Sequence, residues 1–127
     1  MTTATPRIAN ITTEPDEPID MPGASGVRMV MLIGREHGAP NFSMRRFTIE
    51  PGGHSPKHSH DYEHEVVILD GKGTALLAGE ERAIHAGDVL FVPPDEEHQF
   101  RAAADEPLRF ICLVPASRNC GDPTPGS

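Results

Sequence analysis

Five clusters of turn-forming residues divide the middle of the chain: "EPGG" at 50–53, "DGKG" at 70–73, "AGE" at 78–80, "HAGD" at 85–88 and "PPDEE" at 93–97. Glycine supplies backbone conformations closed to other residues, and proline removes a backbone donor, so each cluster interrupts regular structure. No window longer than a few residues carries the apolar period of a helix. Seven short strands are predicted instead, at 27–33, 42–50, 64–69, 74–78, 89–92, 98–102 and 108–114. The last is the clearest: in "LRFICLV", Leu108, Phe110, Cys112 and Val114 alternate onto one face. Many short strands at this spacing predict an all-β sandwich or barrel. A chain of 127 residues holds one such domain around one core.

The ends read differently. Residues 1–25 are rich in Thr, Pro, Asp and Glu and predict an extended arm, with "RIANI" compatible with a strand. Residues 117–127, "SRNCGDPTPGS", predict a flexible tail, which leaves 26–116 for the barrel. Nineteen acids against eleven Lys and Arg give a net charge of −8 with no basic stripe, which argues against nucleic acid as a partner. Two cysteines, Cys112 and Cys120, are too few for a disulfide scaffold. The N-terminus has no apolar core segment of a signal peptide, and no apolar run approaches a membrane span. A cytoplasmic location is therefore expected, with no membrane partner.

Chemistry concentrates in "HSHDYEHE" at 58–65. Three histidines and two glutamates in eight residues predict a metal site, but His58, His60, His64, Glu63 and Glu65 cannot all reach one ion. On a strand, His58 and His60 point to one face roughly 6.7 Å apart. Were the strand to continue, His64 would lie ~13 Å beyond His60. The chain must therefore turn within Asp61-Tyr62-Glu63, with His58 and His60 ending one strand and His64 opening the next. His98, after "PPDEE", is the fourth candidate. His37 and His85 read as surface or hydrogen-bonded histidines. His54, after Gly52 and Gly53, reads as a loop residue that could reach a cavity rim.

These spacings resemble the cupin superfamily. Its first motif, G-x5-H-x-H-x3,4-E-x6-G, is matched by Gly52, His58, His60 and Gly71, with His64 where the glutamate would stand. Its second, G-x5-P-x-G-x2-H-x3-N, is matched by Gly87, Pro93 and His98, with Asp95 in place of Gly and Ala102 in place of Asn. Four histidines resemble a small subgroup of single-domain cupins that includes a thermophilic manganese-binding member. "LIGREHGAPNFSMRRFTIEPGG", "HEVVILDGKG" and "FICLVP" are similar to it. The resemblance implies a jelly-roll β-barrel, a homodimer with exchanged N-terminal strands, and an octahedral divalent metal with two open positions. It implies His58, His60, His64 and His98 as ligands and Cys112 on the cavity wall. Alternation independently places Cys112 with Phe110 on one face, where a small buried apolar residue would also fit. Glu63 and Glu65, flanking His64, are expected to point outward; direct ligation by Glu65 would need a longer loop.

Four neutral imidazoles leave the ion near +2, where a glutamate ligand would leave +1, so its Lewis acidity rises. Manganese is the expected cofactor, with iron, zinc, nickel and copper as alternatives. The leading expectation is a dioxygenase-like oxidoreductase that oxygenates or oxidatively cleaves a small organic molecule. Phe100, Phe110, His54 and Arg45 would line its substrate cavity, with Arg45 and Cys112 as catalytic candidates. The alternatives are a non-redox Lewis-acid enzyme (polyketide cyclase, isomerase or lyase) and a binding module without turnover.

Overall fold

Nine strands account for nearly all regular structure in the computed structural model, which describes residues 5–116. They are β1 (Glu17–Pro18), β2 (Ser25–Ile33), β3 (Phe42–His54), β4 (His64–Asp70), β5 (Lys72–Leu77), β6 (Glu80–His85), β7 (Val89–Val92), β8 (Gln99–Ala102) and β9 (Leu108–Pro115). A single 3-10 turn, Arg35–His37, is the one helical piece among the described residues. Every pairing is antiparallel, in the order β6-β5-β8-β3-β9-β4-β7, with β2 also on β3 and β1 on β2. Strand β3 pairs with β2, β9 and β8, and so curls the sheet around one interior. The fold is all-β, one antiparallel sheet curled as the jelly roll expected from the sequence. No helix among the described residues is long and apolar enough to cross a membrane.

The interior is filled by one face of each strand. Leu108, Phe110, Cys112 and Val114 are all buried and stand opposite Ile49, Phe47, Arg45 and Ser43. Phe47 and Phe110 stack at 5.4 Å, and Phe100 closes on Phe110 at 4.8 Å. Burying such rings, with the aliphatic core around them, favours the curled sheet.

Two strands escape the sequence pattern. In β6, "EERAIH", five of six residues are exposed, so no apolar alternation marks it. It is an edge strand, held by a continuous six-residue register with β5, and its charges protect that edge. The two-residue β1 is held by pairing with Met29 and Arg28. Strand β3 also runs through "EPGG", predicted to end it, because Gly52 takes φ +76° and absorbs the irregularity. At "DGKG" the break is a single residue: Gly71, at φ +87°, joins β4 to β5. A Cβ there would lie 1.9 Å from the Pro107 carbonyl oxygen, so both the backbone angle and the close approach require glycine.

The arm lies on the outer face of β2 and β3. The Arg46 guanidinium donates to the carbonyls of Ile11 and Glu14 and to the Asp16 carboxylate. Arg28 reaches Asp16 at 2.7 Å and Thr48 donates to it at 3.1 Å. Burial alone would push the Asp16 carboxyl up, but the donors Arg28, Thr48 and Arg46 together hold it below the usual range. The tail predicted for 117–127 lies outside the described residues.

Candidate metal centre

Three connections bring the histidines together. His58 and His98 form an isolated antiparallel bridge: the His58 N–H donates to the His98 carbonyl at 3.2 Å, and the His98 N–H returns the bond at 2.9 Å. Neither residue belongs to a strand, a correction to the reading that placed His58 at a strand end and His98 at a strand start. The bridge fixes both backbones nonetheless. The Asp95 N–H donates to the His60 carbonyl at 2.6 Å and ties the second turn to the first. Asp95 sits at φ +67°, a left-handed position, which explains how it stands where the family motif has glycine. The chain bends at Asp61 and Tyr62, and His64 opens β4 as the spacing required.

The rings converge. Nitrogens of His58, His60 and His98 lie within 4.8 Å of one another. His64 adjoins them, with its Nε2 2.7 Å from His60 Nε2 and its ring centroid 5.0 Å from that of His98. The outer nitrogens are held by the protein. His60 Nδ1 lies 3.0 Å from the Tyr62 carbonyl, and His98 Nδ1 2.8 Å from the Glu96 carbonyl. A carbonyl only accepts, so both Nδ1 atoms carry the proton and both Nε2 lone pairs face the cluster. His64 Nδ1 is 2.8 Å from Cys112 Sγ, which holds that ring with its Nε2 towards His60. Tyr62, buried in the bend, stacks on the His60 ring at 4.0 Å and 6°.

The electrostatics suit a cation. Burial pushes the His98 imidazole down to about 4; neighbouring His64, His58 and His60 add to the effect, while the bond to the Glu96 carbonyl opposes it. A ring kept neutral at pH 7 keeps its lone pair available. Clustered imidazoles, with the outer nitrogens of His60, His64 and His98 tied down, fit a divalent transition metal. Glu63 and Glu65 are both exposed, away from the cluster. A hydrogen bond with Glu63, then burial and the Glu63 charge, raise Glu65 to about 6.

A cavity opens beside the imidazoles, lined by His58, His64, His98, Cys112, Phe100 and Phe110 among others. Met21, from the arm, and Ser55 and Pro56 also line it, and nothing in the sequence marked them. His54, expected at the rim, is not in the lining. It ends β3 opposite Arg101, with Nδ1 3.4 Å from the Gln99 amide, because the strand continues where a loop was expected. Arg45 is buried in the same wall, one residue pair along β3 from Phe47, and also stands outside the lining. His37 accepts from the Gly34 N–H, and His85 pairs with Asp88; both are remote from the cluster.

Comparison with known proteins agrees with this geometry. The cupin domain family matches residues 45–114. A 1-methylthio-D-xylulose 5-phosphate methylsulfurylase from Rhodospirillum rubrum is 42% identical over 76 residues, which are 60% of this chain and 49% of that protein. The chain thus spans about half the length of this curated relative. The polyketide cyclase RemF from Streptomyces resistomycificus superposes with a TM-score of 0.82 at 28% identity, over 88% of this chain and 80% of that one. A cupin 2 conserved barrel protein from Rhodopseudomonas palustris is 30% identical over 80% of this chain and 69% of its own, with a TM-score of 0.70. The family match covers more than half of the residues and both histidine-bearing turns, and the chain belongs to the cupin family.

Proposed function

We propose that the chain is a metal-dependent enzyme that activates a carbonyl group of a small organic substrate without net redox change. One divalent ion would be held by His58, His60, His64 and His98. The observation that carries this reading is the convergence of imidazoles at the edge of an apolar cavity. When bound there, the ion supplies Lewis-acid polarisation of a carbonyl oxygen, strengthened by the absence of a carboxylate from the proposed ligand set. The chain's own residues do the rest. Phe47, Phe100 and Phe110 hold the carbon frame and exclude water. Cys112 Sγ keeps the His64 ring in place and stands in the wall that the substrate would touch. Tyr62 and the Glu96 carbonyl hold the His60 and His98 rings in register.

Two relatives support a carbonyl substrate by name alone, one acting on a xylulose phosphate and one being a polyketide cyclase. The oxidative alternative uses the same site with Mn or Fe to oxygenate the substrate. The test loads the protein separately with Zn2+ and Mn2+. It then follows hydrogen–deuterium exchange next to the carbonyl in a panel of small ketones by NMR, together with O2 uptake. Exchange catalysed by both metals without O2 uptake is expected. Turnover confined to Mn2+ and coupled to O2 uptake would refute the Lewis-acid reading.

A further inference from the structure

Arg45 and Arg46 are neighbours on β3, point to opposite faces and are both buried. Arg46 faces out and takes acceptors from the arm: the carbonyls of Ile11 and Glu14 and the carboxylate of Asp16. Arg45 faces in and is 1% exposed, yet its Nε and Nη2 have no hydrogen-bond partner among the described residues. No described carboxylate pairs with it, whereas Arg46 has Asp16 at 3.3 Å. Its orientation follows from the register. It shares a face with Phe47 and Ile49, which line the cavity, and stands opposite Cys112, which also lines it. Its guanidinium carbon lies 5.6 Å from the Phe47 ring centre.

A guanidinium cannot shed its charge at any ordinary pH. A buried, unpaired charge is strongly unfavourable, and an apolar side chain would fill this position more easily. We infer that Arg45, just behind the lining residues Phe47 and Cys112, forms an oxyanion subsite reached past them, taking a carboxylate or phosphate carried by the substrate. This rests on the metal-enzyme reading for the word substrate, but not for the binding itself. The planar fork suits two-point binding of either group. Cys112 lies between this subsite and the imidazoles, since its Sγ contacts His64 at 2.8 Å and its backbone pairs with Arg45. The substrate would then span the thiol, with its carbonyl at the imidazoles and its anion at Arg45.

The test uses metal-free protein, so that no ion competes for the anion. Thermal unfolding is followed against phosphate and against acetate, with chloride at matched ionic strength as the control. A saturable rise in Tm with phosphate alone marks a phosphorylated substrate, and one with acetate alone marks a carboxylate; a rise with both supports the subsite for either anion. In Arg45→Met the affinity for the effective anion should fall at least tenfold, and in Arg45→Lys it should fall less. No rise in the wild type, or an affinity in Arg45→Met within twofold of wild type, overturns the inference. Should neither variant fold, the wild type still decides through the Arg45 Nε–H resonance, which must move as the anion saturates; a stationary resonance overturns the subsite. Mn2+ affinity measured on the same samples separates the two claims. Anion binding without Mn2+ binding sinks the metal reading and leaves the subsite, and the reverse result sinks the subsite alone.

Discussion

Acidifying the metal-free protein should unfold it through His98 before most carboxylates have titrated. The buried His98 ring takes up its proton only near pH 4, whereas in the unfolded chain it does so near its ordinary value of 6.5. Between these values the unfolded state binds more protons, so stability falls as pH falls. The stabilising contribution is complete above pH 6.5 and lost towards pH 4. A gap of this size corresponds to roughly 3 kcal/mol, a large part of the margin of an ordinary domain. Glu65 works the other way. Its raised value makes its contribution complete below about pH 4.5 and lost as pH rises through about 6, and its exposure keeps that effect small. Urea unfolding at pH 7, 6, 5 and 4 should therefore be run on the wild type and on His98→Gln. The wild type should lose about 3 kcal/mol more than the variant over this range. Parallel pH profiles for the two proteins would refute the assignment of a depressed value to His98.

Three further outcomes are expected. Glu63→Gln should return Glu65 from about 6 towards the ordinary carboxylate range, read by carboxyl NMR titration, because the Glu63 hydrogen bond is the largest cause of its shift. Gly71→Ala should destabilise the fold by about 2–4 kcal/mol in urea unfolding, since the new Cβ meets the Pro107 carbonyl and φ is positive. Tyr62→Ala should destabilise by about 3–5 kcal/mol and also weaken Mn2+ binding, because the lost ring packs in the core and stacks on His60; unchanged metal affinity would show that the stacking does not hold His60.

The parts of the fold that were legible in the sequence are those written locally. Turn residues and alternation located β4, β7 and β9 to within a residue at each end, since their inward faces are apolar and their ends are marked by glycine, proline or acidic turns. Strand β6 was not legible because an edge strand needs only its backbone, and "EERAIH" buries one side chain. The approach of His58, His60 and His98 was expected from their spacing, although His58 and His60 reach it from irregular chain and not from a strand end. The supports of that cluster were not legible. Tyr62 on His60, the Glu96 carbonyl on His98 and Cys112 on His64 depend on chain segments that meet only after folding. The same holds for Met21, which reaches the cavity from the arm, and for Arg45, whose Nε and Nη2 find no partner among the described residues. His54 lies on β3 and not in a loop because Gly52 and Gly53, which mark a strand end in the sequence, only bend the strand.

A Mn2+ titration followed by electron paramagnetic resonance decides whether the four imidazoles hold one divalent ion. Saturation at one ion per chain is expected, with electron–nuclear coupling to several imidazole nitrogens, and a loss of affinity of at least tenfold in each of His58→Ala, His60→Ala, His64→Ala and His98→Ala. Absence of saturable binding in the wild type, or a His64→Ala or His98→Ala variant that binds Mn2+ as tightly as the wild type, would contradict it.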